Sequence, residues 1–88
     1  MTQESSILIV DDDPIICDIL CEVLQVEGYA IKAVHKGEKA LRLMAREPFH
    51  LVLLDLSLPG MHGIEVFKEI KENWPSTDVI IITGDAYV

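Results

Sequence analysis

His50-Leu51-Val52-Leu53-Leu54-Asp55-Leu56-Ser57-Leu58-Pro59-Gly60-Met61-His62-Gly63 carries a short apolar run that stops on a carboxylate. Leu51 to Leu54 shows no alternation of apolar and polar residues, which predicts a strand buried on both faces, as in a parallel sheet. Asp55 closes the run, and Pro59-Gly60 signals a turn just beyond it. An acid at the carboxyl end of a buried strand stands where open α/β sheets bind their ligands. The same place suits an acid that merely starts the turn or caps the next helix. The other acids of the chain have to separate the two readings.

Working outward, Ile7 to Val10 is a second apolar run ending in carboxylates, Asp11, Asp12 and Asp13. Asp13-Pro14 has the form of an N-cap followed by proline at the first helical position. Ile15, Ile16, Ile19, Leu20, Val23 and Leu24 then recur at helical spacing, and Gly28 supplies a C-terminal stop. Tyr29 to Val34 alternates weakly and predicts another strand. Glu38 to Arg46 predicts an amphipathic helix through Ala40, Leu41 and Met44, closed by Pro48. A third helix has its apolar stripe at Ile64, Phe67 and Ile70, or alternatively at Val66 and Ile70, and ends at Trp74-Pro75. Val79 to Ile82 is the last apolar run and leads into Thr83-Gly84-Asp85. Strands alternating with helices at this spacing predict βαβ units and a parallel sheet, with right-handed crossovers.

Composition narrows the function classes. With 88 residues, half of them hydrophobic and a quarter charged, the chain reads as one small globular domain. Lys+Arg 7 against Asp+Glu 15 gives a formal net charge of −8. That balance argues against direct contact with nucleic acid or an anionic membrane, both of which need clustered positive charge. No apolar run approaches the roughly 20 residues of a membrane span, and the first residues lack the basic and apolar regions of a signal peptide. Cys17 and Cys21 lie on one helical face, with no second pair to form a metal site. They read as buried thiols in a reducing compartment, which predicts a cytoplasmic protein.

Asp11-Asp12-Asp13, Asp55 and Thr83 all follow strands, and in a parallel sheet the carboxyl ends of strands share one rim. Carboxylates crowded there repel one another. A hard divalent cation bound by oxygens relieves the repulsion, and magnesium suits a few carboxylates plus several waters. A carboxylate so supported can act as a nucleophile toward a phosphoryl group. The Thr83 hydroxyl is placed to donate to a phosphoryl oxygen, with Gly84 leaving room beside it.

The chain resembles the receiver domain of two-component response regulators. The resemblance rests on Ile-Leu-Ile-Val-Asp-Asp-Asp-Pro near the start, Leu-Val-Leu-Leu-Asp-Leu-Ser-Leu-Pro-Gly-Met-His-Gly in the middle and Val-Ile-Ile-Ile-Thr-Gly near the end. It implies an α/β, flavodoxin-like doubly wound parallel sheet, of which residues 1–88 hold the first four strands and three helices. It implies that Asp55 is the phosphoacceptor and Thr83 the switch hydroxyl. Asp11, Asp12, Asp55 and the backbone carbonyl of Ser57 would hold Mg2+, while Asp13 is left as a helix cap. The implied role is a signalling phosphoacceptor rather than an enzyme with a separate substrate. Its implied partners are a sensor histidine kinase, an output domain and a second copy in a homodimer. The family pattern continues into a fifth strand ending in a lysine, a switch aromatic and two further helices. The 88 residues hold no counterpart of these, so the chain reads as the N-terminal portion of a receiver, and its last strand predicts an exposed edge prone to self-association.

Two other readings compete. A haloacid-dehalogenase-type phosphohydrolase also opens with a strand ending in Asp-x-Asp, which Asp11 and Asp13 satisfy. Pro14 and Ile15 then depart from its pattern, and Asp55 is left without a role. An inactive pseudo-receiver would keep the fold as an interaction module, but Asp11, Asp12, Asp55 and Thr83 are all present. His35, His50 and His62 lack ligand spacing and read as solvent-exposed side chains. Lys68 and Lys71 lie on the solvent side of the third helix, Glu65, Glu69 and Glu72 share that face, and Trp74 packs at the helix end.

Overall fold

Strands and helices alternate strictly in the computed structural model, which describes residues 5–58 and 60–82. In chain order they are β1 (Ser6–Val10), α1 (Pro14–Val26), β2 (Ala30–Val34), α2 (Gly37–Met44), β3 (Leu51–Asp55), α3 (Gly63–Asn73) and β4 (Asp78–Ile82). The strands form one parallel sheet in the order β2-β1-β3-β4. The chain therefore steps outward from β1 to β2, returns past β1 to β3 and continues to β4. The reversal falls between β1 and β3, the point at which open α/β sheets form a crevice at their carboxyl edge.

Local chemistry sets the helix boundaries. The Asp13 carboxylate accepts from the Ile15 N–H at 2.9 Å, satisfying one of the donors a helix start leaves open. Pro14 follows at the first helical position. Gly28, at φ +97°, turns the chain out of α1 in a backbone conformation that other residues reach only with strain. Gly63 opens α3 for a different reason: a Cβ there would collide with the Leu56 backbone and lie 2.8 Å from the Asp55 carbonyl oxygen. Gly63→Ala is expected to destabilise the fold by about 3 kcal/mol, the upper part of the range for overpacking. Urea unfolding measures this, and an unchanged midpoint would contradict the close approach.

Two apolar layers sandwich the sheet. On one face Leu8, Val10, Val52 and Leu54 pack with Ala40 and Met44 of α2 and Val66 and Ile70 of α3, joined by Phe49 and Leu58. On the other, Ile7 and Ile9 pack with Cys17, Leu20, Cys21 and Leu24 of α1, and Leu51 and Leu53 reach the same cluster. The apolar stripe of α3 thus runs through Val66 and Ile70, and Ile64 is 51% exposed. The stripe expected for α1 is only half right. Leu20 and Leu24 pack inward, but Ile15 and Val23 are 66% and 56% exposed, because the cysteines take the sheet-facing positions. β1 is the most deeply buried strand; Leu51 and Leu53 of β3 are only half-buried. At the β4 edge, Ile80 and Ile81 are exposed.

Candidate functional site

Neighbouring parallel strands bring the acids together. β1 and β3 pair with Val10 opposite Leu54, so Asp11, one residue beyond β1, stands beside Asp55, the last residue of β3. Asp12 follows on the loop into α1. One carboxylate oxygen from each of Asp11, Asp12 and Asp55 lies within 4.8 Å of the other two. Asp11 and Asp55 are each 6% exposed, whereas Asp12 faces solvent.

The two buried carboxylates are held in the same way. Asp11 Oδ1 accepts the Asp13 N–H at 2.9 Å, and Asp55 Oδ1 accepts the Ser57 N–H at 2.9 Å. Each acid is thereby fixed by the loop that follows it, with its second oxygen outside that bond. Among the described residues the one ion pair is Lys32 with Glu47, so no basic side chain neutralises the three acids. Burial, more than anything else, raises the Asp11 pKa above 3.8; the charges of Asp55 and Asp12 add to the effect, while the bond from the Asp13 N–H opposes it. Concentrated, partly desolvated negative charge with hard oxygen donors is the chemistry of a divalent cation site.

The remaining sequence candidates separate clearly. Asp13 caps α1 and its carboxylate is engaged there, which leaves Asp11 paired with Asp55 rather than with Asp13 as a dehalogenase-type site would need. Ser57 lies in the exposed turn after β3. Thr83 and the residues after it lie outside the described residues, as does Pro59. Lys68 and Lys71 are exposed on α3, and Lys71 Nζ donates to the Thr77 carbonyl at 3.1 Å. His50 works far from the acids, its Nδ1 accepting the Ser6 N–H at 3.0 Å at the opposite end of the sheet.

Sequence reading missed two residues beside the acids. His35 Nδ1 lies 2.9 Å from the Asp11 carbonyl oxygen, and Cys17 Sγ lies 3.4 Å from the same atom. The signal was available in the pairing: a residue immediately after β2 must reach the same rim as one immediately after β1. Burial, with a smaller contribution from Asp11, pushes the Cys17 thiol up to about 11. Cys21 is shifted in the same direction, again mainly by burial. Thiolate is the reactive form, so a disulfide reagent at pH 8 is expected to modify half-buried Cys21 first and Cys17 only on unfolding. Rapid modification of Cys17 in the native protein would contradict its packing. Because the folded state keeps the Cys17 proton longer than the unfolded state, its contribution to stability is lost as pH rises from about 9 to about 11.

Comparison with known proteins places this geometry. No helix among the described residues is long and apolar enough to cross a membrane. The response regulator receiver domain family matches residues 7–88. The transcriptional regulatory protein ResD of Bacillus subtilis is 39% identical over 83 residues, which cover 94% of this chain and 34% of ResD. The chain thus spans about a third of the length of the curated relatives it first matches. A CheY-like receiver domain from Methanospirillum hungatei superposes with a TM-score of 0.93 at 34% identity, covering 98% of this chain and 69% of that one. The Thermotoga maritima response regulator TrrA, solved in complex with Mg2+-BeF, gives a TM-score of 0.88 at 39% identity over 93% of this chain and 71% of its own. TrrA has also been solved in complex with the histidine kinase ThkA, where it gives a TM-score of 0.88 at 38% identity, covering 94% of this chain and 72% of that one. A parallel sheet in this strand order, an acidic rim at its carboxyl edge and these matches together make the chain a member of the response regulator receiver domains, with the flavodoxin-like fold of that family.

Proposed function

We propose that Asp55 accepts a phosphoryl group from a histidine kinase at a Mg2+ site formed by Asp11, Asp12 and Asp55 with the Ser57 backbone carbonyl. The observation that carries the reading is the convergence of three carboxylates within 4.8 Å, with no basic side chain paired to them among the described residues. Bound there, Mg2+ supplies positive charge to offset the crowded acids and the transferring phosphoryl oxygens. Asp55 is held from behind by the Ser57 N–H, which leaves Oδ2 as the nucleophilic oxygen. An O–P bond forms at Oδ2 as the N–P bond of the donor phosphohistidine breaks, and the electron pair leaves with the imidazole. Transfer of this kind depends mainly on positioning and charge stabilisation, and the fixed loops after β1 and β3 provide the positioning. Thr83 is the hydroxyl we assign to the transferred group.

The kinase complex of TrrA supports a histidine kinase as the partner, and its Mg2+-BeF complex supports Mg2+ as the ion. The greater length of the curated relatives supports an output segment governed by the receiver. A cytoplasmic location and a homodimer belong to the same reading. So does a signalling role in which the domain turns over no substrate besides its own phosphoryl group. Incubation with acetyl phosphate tests it: intact mass should rise by one phosphoryl group with Mg2+ present and stay unchanged with EDTA. Incorporation that is indifferent to EDTA would contradict the site.

A further inference from the structure

The carboxyl end of β1 is fastened by a side chain as well as by the backbone ladder. The parallel ladder between β1 and β2 runs one rung past the strands, where the Asp11 N–H donates to the Val34 carbonyl at 3.1 Å. The alternation of a parallel ladder would next bring the Lys36 N–H to the Asp11 carbonyl. In that position stands the imidazole of His35, with Nδ1 at 2.9 Å from the oxygen. A carbonyl oxygen only accepts, so Nδ1 carries the proton. The Cys17 thiol approaches the same oxygen at 3.4 Å as a weaker second donor. Nδ1 is also 3.7 Å from Cys17 Sγ. With its proton turned to Asp11, that nitrogen is not a base for the thiol.

We propose that His35 is a positioning residue of the metal site. Its Nδ1–H fixes the Asp11 carbonyl, and with it the peptide plane that joins Asp11 to Asp12. The Asp11 carboxylate is separately tied to the Asp13 N–H. The two bonds together set the directions in which the first two acids leave the backbone. Asp12 is exposed and sits on a loop, so the orientation of that peptide governs where its carboxylate can reach. The inference rests on the divalent-cation reading above and adds a determinant of its geometry from outside the acidic cluster. Outer groups that orient ligands commonly change metal affinity by about 10- to 100-fold when removed.

The test uses two substitutions. In asparagine, Nδ2 is the same number of bonds from Cα as Nδ1 is in histidine, so His35→Asn can keep the donor, whereas His35→Ala removes it. Titration calorimetry of the protein with MgCl2 should show His35→Ala binding about tenfold more weakly and His35→Asn within a few-fold of wild type. In the metal-free protein, long-range proton–nitrogen NMR should show His35 as the Nδ1–H tautomer. Unchanged Mg2+ affinity in His35→Ala would overturn the proposal, as would an equal loss in both variants or the Nε2–H tautomer in wild type. If wild type itself takes up no Mg2+, the metal reading fails and the proposal falls with it. A retained Nδ1–H tautomer in that case would leave the bond to Asp11 as a purely structural one.

Discussion

Asp55→Asn is expected to end phosphoryl acceptance altogether. The side chain keeps its shape, and its amide oxygen can still accept the Ser57 N–H that Asp55 Oδ1 accepts at 2.9 Å. What is lost is the nucleophile, since an amide lacks the charged oxygen that attacks phosphorus. The loss should be complete because neither neighbouring acid shares the location of Asp55. Asp12 is exposed on the loop, and Asp11 stands one residue beyond the neighbouring strand β1. Stability should not fall, because the substitution removes one of three crowded negative charges. Intact mass after treatment with acetyl phosphate and Mg2+ measures the first effect, and thermal unfolding the second. Wild-type incorporation in the mutant would place the acceptor elsewhere.

Asp12→Ala is expected to separate metal binding from stability. Each carboxylate is a principal source of charge at the site, so Mg2+ affinity should fall by at least the 10- to 100-fold typical of losing a supporting group. The metal-free fold should be no less stable, and should gain stability where repulsion with Asp11 counts. The sign follows from Asp11. Its pKa is raised above 3.8 by burial first and by the Asp55 and Asp12 charges next, so the folded chain holds that proton to higher pH than the unfolded chain. Without metal, the Asp11 contribution to stability is greatest at low pH and declines as pH climbs from about 3.8 through the folded-state value. The decline should be shallower in Asp12→Ala, and saturating Mg2+ should offset it in wild type. Chemical unfolding across that pH range, with and without Mg2+, reads both effects. A metal-free Asp12→Ala less stable than metal-free wild type would contradict the crowding.

Much of this was legible in the residues, for specific physical reasons. Apolar runs that end in acids mark parallel strands and their carboxyl rim together, and β1 and β3 carry both signals in a few residues. The Asp13-Pro14 cap was legible because it depends only on neighbours in sequence. The errors came where tertiary context overrides periodicity. Spacing alone ranks Ile15, Ile19 and Val23 as core, yet the sheet meets the face of α1 that carries Cys17, Cys21, Leu20 and Leu24. Ile64 likewise fits a helical stripe, but α3 turns Val66 and Ile70 to the sheet. His35 escaped for a third reason. Its bond to Asp11 spans 24 positions of sequence and depends on the β1–β2 register, which periodicity does not encode. The role of Gly63 was hidden too, since a glycine after a turn gives no sign of the backbone it must approach.

The central claim is that Asp11, Asp12 and Asp55 form one metal-dependent site whose acceptor is Asp55. Its most direct test is to phosphorylate the wild-type protein with acetyl phosphate and Mg2+, trap the acyl phosphate by borohydride reduction and map the reduced residue by peptide mass spectrometry. Reduction at Asp55 alone, absent when EDTA replaces Mg2+, is the expected result. Reduction at Asp11, Asp12 or Asp13, or at Asp55 with equal yield in EDTA, would contradict it.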